Sequence, residues 1–123
     1  MHTSDYYRLL TDFLAQTGLP VRQGGRTTAT HARPCLIYTV PRPAFGSDAA
    51  LEAQAFFPGM DALAQRNTFL AALEQLIPPE GALLHVSDGA VWITRDASRF
   101  ITTDADTGPA LRVHIRANVR LYG

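Results

Sequence analysis

The sequence has a single cysteine, Cys35, and no lysine at all in its 123 residues. One thiol cannot close an intrachain disulfide or build a structural zinc site, which needs four ligands. The four histidines, His2, His31, His85 and His114, show no ligand spacing either. No apolar stretch approaches the roughly 18 residues of a membrane span. The first residues, Met1-His2-Thr3-Ser4-Asp5, lack a basic region followed by an apolar run, so no signal peptide is read there. The expected setting is the cytoplasm, or a particle assembled in it. Formal net charge is zero, which excludes bulk polyanion binding. Neither a G-x-S-x-G elbow, a dinucleotide fingerprint nor a phosphate loop is present. No enzyme activity and no cofactor or metal is expected. Asp104 and Asp106 form a D-x-D, but beside Thr107, Gly108 and Pro109 they read as a solvated turn.

The composition that remains is that of an ordinary globular chain, 46% apolar and 18% charged. Its length suits one α/β domain over residues 1–123. The first element is a helix of about fourteen residues, with Tyr6, Leu9, Leu10, Phe13 and Leu14 on one stripe. Thr3 or Ser4 is its candidate cap, and Gly18 and Pro20 end it. A short extended piece around Leu19 to Arg22 leads into a Gly- and Thr-rich loop over 23–33, expected to be flexible. Strand follows over Pro34 to Val40. Residues 49–57 are ambiguous: their alanines favour helix, whereas Leu51, Ala53, Ala55 and Phe57 alternate as in a half-buried strand. The alternation is preferred, because it makes a hairpin with the strand before it. A second helix runs from Asp61 to Leu76, with Leu63, Leu70, Leu73 and Ile77 on its apolar face. Ser87-Asp88-Gly89 joins two short strands, 82–86 and 90–94.

The last segment carries the one functional signal. Leu111, Val113, Ile115, Ala117, Val119 and Leu121 alternate strictly with Arg112, His114, Arg116, Asn118, Arg120 and Tyr122. One face of this strand packs a core; the other is a basic ladder of Arg112, His114, Arg116 and Arg120. Two readings stay open. The ladder is a solvated face whose arginines serve as cross-strand partners for acids, or a surface for an anionic partner.

The order of elements resembles the tail-terminator and tail-completion proteins of long-tailed phages. The resemblance begins at Tyr6 to Val21, where the amphipathic helix runs into "TGLPVRQGG", and continues through "RPCLIYTVPRPAF" and the helix before "LIPPEG" to "RFITTDADTGPALRVHIRANVRLYG". It implies an α+β fold, with a mixed or antiparallel sheet of about five strands against two helices. It also implies a structural virion protein of the tail and neck, assembled in the host cytoplasm. Such a subunit forms a ring, expected to be a hexamer, that caps the tail tube and meets the head connector; DNA passes through its lumen and no membrane is involved. On that reading Arg112, His114, Arg116 and Arg120 form the lumen or inter-subunit face. Arg22, Arg26, His31 and Arg33 belong to a docking loop that orders on assembly. Other neck or adaptor proteins of phages and contractile injection particles share this layout, and a small ligand-binding α+β module is the competing class.

Overall fold

In a computed structural model the chain is described over residues 2–24, 33–104 and 110–122. Among the described residues two helices, α1 (Thr3–Ala15) and α2 (Ala62–Leu76), accompany seven strands. These are β1 (Val21–Gln23), β2 (Cys35–Thr39), β3 (Asp48–Pro58), β4 (Ala82–Val86), β5 (Gly89–Arg95), β6 (Ile101–Thr103) and β7 (Ala110–Tyr122). All seven join one sheet in the order β1-β2-β3-β7-β5-β4, with β6 also on β7. The expectation of about five strands is therefore corrected: the sheet has seven, and the fold is mostly β with two helices. The two uncounted strands, β1 and β6, are three residues each, and each is held by the strand that follows it, β2 and β7 respectively. No local periodicity marks strands that short.

The ambiguous alanine-rich run is strand. β3 pairs antiparallel with β2 and, over eleven residues, with β7. Two neighbouring strands satisfy its backbone on both edges, and this outweighs the helix preference of alanine. The alanines also have a packing role. Ala49, Ala53 and Ala55 point to the core with Leu51 and Phe57, and all five are buried. From α2, Phe69 reaches this face of the sheet, its ring 5.5 Å from that of Phe57.

The register sorts the rest of the sheet. Leu36, Ala55 and Val113 lie side by side on the core face, as do Tyr38, Ala53 and Ile115. Both helices pack there. α1 starts at Thr3 rather than after it, and His2 precedes it with no side-chain cap, so the expected Thr3 or Ser4 cap does not form. Tertiary bonds anchor this helix instead. Tyr7 Oη donates to the Val40 carbonyl at 2.9 Å, Tyr38 Oη donates to the Tyr7 carbonyl at 3.0 Å, and Thr11 Oγ1 lies 2.8 Å from Tyr38 Oη. α2 buries Ala62, Phe69 and Leu73, followed by Ile77, whereas Leu63 stays half exposed, one helical step off that line. No helix among the described residues is long and apolar enough to cross a membrane.

Candidate functional site: an ion-paired ladder on the open sheet face

The face of the sheet turned away from the helices carries the alternate residues of each strand. Three rows of cross-strand neighbours define it: Cys35, Phe56 and Arg112; Ile37, Gln54, His114 and Thr102; Thr39, Glu52 and Arg116. Asp48 and Trp92 flank Arg120 further along. The ladder read from the sequence is therefore present, with all four basic side chains on one face of β7.

Its charges are largely compensated in place. Arg116 Nη1 lies 3.3 Å from Glu52 Oε1 and its Nε 3.4 Å from Asp96 Oδ2. Arg120 Nε lies 3.1 Å from Asp48 Oδ1. That contact is an ion pair whose angle falls short of a hydrogen bond, leaving the buried Nε–H without one. His114 Nε2 sits 2.9 Å from Asp104 Oδ1. Arg112 has no carboxylate partner among the described residues; its guanidinium lies 5.8 Å from the Phe56 ring centroid. The geometry is thus that of cross-strand acid partners, each exposed pair worth little by itself. A sequence signal for it existed. Asp48 and Glu52 are four residues apart, as are Arg116 and Arg120, so an antiparallel register that aligns one pair aligns the other.

An irregularity opposite Arg116 shapes the site. Arg95 pairs with Ala117 and Ile101 with Ile115, so residues 96–100 all face the single position Arg116. Both of its backbone groups are still bonded: Asp96 N–H donates to its carbonyl at 3.2 Å, and its own N–H donates to the Phe100 carbonyl at 2.9 Å. This is a special bulge, five residues against one, a device that interrupts a ladder and re-aims its side chains. Asp96 folds the bulge: its Oδ1 accepts from the Ser98 hydroxyl at 2.8 Å, Ser98 N–H at 2.9 Å and Arg99 N–H at 3.0 Å. Those bonds, the Ser98 hydroxyl first, hold its carboxyl below the ordinary aspartate value.

The bulge also walls a groove of about 540 Å³, lined among others by Thr39, Glu52, Arg99, Thr102, His114 and Arg116. Glu52, Asp96 and Arg99 escaped the sequence reading, because only the bulge and the β3–β7 register bring them to the ladder. Of the loop residues singled out from the sequence, Arg22 lies exposed on β1 opposite Ile37, in the row that continues through Gln54 to His114. Arg33 is exposed just before β2; Arg26 and His31 lie outside the described residues. Asp104 of the D-x-D is the partner of His114, and Asp106 lies outside the described residues. Among the described residues no group of three or more His, Cys, Asp or Glu side chains gathers as a metal site. Cys35 is buried, and burial pushes its thiol pKa up, against a smaller opposing pull from Arg22. A protonated, covered thiol is a poor nucleophile. Trp92 stands half-buried beside Arg120 on the open face and is absent from the helix-facing core.

No family model matches this chain, and no curated protein does. Among solved structures, one whose name states no activity is similar at 18% identity and a TM-score of 0.61. The match covers 98% of this chain and 92% of that one. At this identity the likeness shows a shared fold and nothing about what either protein does.

Proposed function

We propose that the chain is a structural virion protein, a tail terminator-like ring subunit that caps the tail tube and joins it to the head connector. The sequence segments that resemble tail terminators supply the family. The observation carrying the role is the paired ladder on β7: arginines alternate with carboxylates of β3 and of the bulge across one broad sheet face. A face of interleaved signs suits docking against another protein surface, where complementary charges set register. It suits a track for DNA less well, since DNA is held by unpaired cations that displace its condensed counterions, and Arg116 and Arg120 are already paired. Within the ring, the ladder therefore belongs to subunit or neighbour contacts, and any DNA in the lumen passes it without specific capture.

The test is the mass of the full chain by light scattering over a wide concentration range, paired with addition to self-assembling tail tubes. A ring-sized species near six copies, or arrest of tube growth, is the expected result. Arg112→Glu with Arg116→Glu is expected to abolish both. Rings and capped tubes formed normally by that double variant would sink the assignment of the ladder.

One observation favours a second reading, a small ligand-binding module. The 540 Å³ groove beside Arg99 and His114 is large enough for a modest polar ligand. A monomer at every concentration that also leaves tube growth unaltered would favour this reading over the ring.

A further inference from the structure

Charges without partners are segregated by sign between the two sides of the molecule. On the helical side Asp12, Asp61, Glu74 and Glu80 are exposed, and none of their carboxylates has a cationic partner among the described residues; Arg95 reaches the Glu74 end, but it bonds backbone carbonyls there. On the helix-free sheet face, where Cys35, Ile37 and Phe56 are nevertheless buried, the opposite holds. Arg22, Arg99 and Arg112 have no carboxylate partner among the described residues, while Arg116 and Arg120 are paired. The total charge is nonetheless zero. In its unpaired charges alone the chain is thus polar from one layer to the other, acidic over the helices and basic over the sheet, while the paired charges of each side largely cancel.

From this polarity we infer that a second copy of the chain docks head to tail. The helical side of one copy, with α2 and the Glu74–Glu80 end foremost, meets the open sheet face of the next around the Arg99 groove. Different surfaces of the two copies meet, so the contact is heterologous, the kind that closes into a ring or runs on as a filament. Arginine suits the receiving side, because its planar fork binds a carboxylate through two hydrogen bonds. The groove gives an incoming carboxylate Arg99 together with the Thr39 and Thr102 hydroxyls. This inference rests on the ring reading and names the interface within it.

The experiment uses three full-length chains: the native one, Glu74→Arg with Glu80→Arg, and Arg99→Glu with Arg112→Glu. Association is followed by sedimentation at about 50 mM salt, where the Debye length still exceeds 10 Å, and again at about 300 mM. The native chain is expected to associate, and to weaken about tenfold between the two salts. Each reversed variant alone is expected to stay monomeric, since the Glu74–Glu80 end and the Arg99 groove that meet across the contact then carry the same sign. An equimolar mixture of the two variants is expected to associate again, each supplying the face the other lacks. Rescue by mixing is a result that damaged folding cannot imitate. A mixture that stays monomeric, or a reversed variant that associates like the native chain, overturns the interface. Rings formed by either variant alone would overturn it and leave the ring reading standing. A native chain that is monomeric in low salt overturns it too, and the ring reading then depends on tube capping.

Discussion

Gly81 illustrates how narrowly one residue can be specified. Its φ is +89°, and a Cβ there would stand 2.9 Å from both the Ile93 carbonyl and Trp92 Cζ2. Its N–H also closes the turn after α2 on the Pro78 carbonyl at 2.8 Å. Backbone conformation and space thus both exclude a side chain. Gly81→Ala is expected to lower stability by about 2 kcal/mol, read from the urea midpoint. An unchanged midpoint would mean that this turn and β5 separate more easily than they pack. Gly59 has a similar φ of +90° and nothing within 4 Å of its Cβ position, so only the conformational part of the cost applies there.

At the scale of elements, neither helix has a side-chain cap at its N-terminus, where His2 and Asp61 make no such bond. α1 closes its C-terminal turn with its own bonds, whereas the C-terminus of α2 is held by the sheet. The C-terminus of α2 depends on Arg95, which occupies a core-facing register position on β5 beside Ala117. Its Nε donates to the Ile77 carbonyl at 2.7 Å and its Nη2 to the Glu74 carbonyl at 3.0 Å. The guanidinium lies 4.6 Å from the Phe100 ring centroid. A cation at this end also complements the helix dipole. Arg95→Met retains the stem and removes the donors, and is expected to cost about 1–3 kcal/mol. Loss of α2 amide protection in hydrogen exchange, ahead of the sheet, would locate the damage. Equal protection in the variant would mean that Phe69 and Leu73 suffice to hold the helix.

For the whole molecule, the seam between α1 and β2 sets an alkaline limit. Burial pushes the Tyr6 hydroxyl well above the ordinary tyrosine value of 10.0, with neighbouring tyrosines adding to it. Tyr38 is raised as well, again chiefly by burial, against the hydrogen bond from Thr11 that lowers it. Both native pKa values are raised, so the native state keeps protons that the unfolded chain releases. The associated stability is whole below pH 10.0 and falls as pH climbs from there through the raised native values. The urea midpoint is expected to be level between about pH 8 and pH 9 and to drop steeply above about pH 10. Tyr6→Phe with Tyr38→Phe is expected to flatten that drop. A midpoint that stays level beyond pH 10, or an equal slope in the double variant, would refute the account.

Much of this molecule follows from local pattern. The stripe from Tyr6 to Leu14 fixes a helix, and the strict alternation after residue 110 fixes a strand with one apolar and one polar face, because side-chain direction has a period of 3.6 or 2 whatever the surroundings. The same alternation named all four residues of the ladder. Three other features were settled by strand meeting strand, the first of them already preferred from its alternation. The alanine-rich β3 is a strand because β2 and β7 pair with both its edges. β1 and β6 exist because β2 and β7 give three-residue segments a ladder to join. The ladder is compensated because the β3–β7 register sets Asp48 and Glu52 opposite Arg120 and Arg116, and the bulge at 96–100 adds Asp96. Composition gives the number of charges of each sign, but their pairing depends on register, and register is a property of the folded sheet.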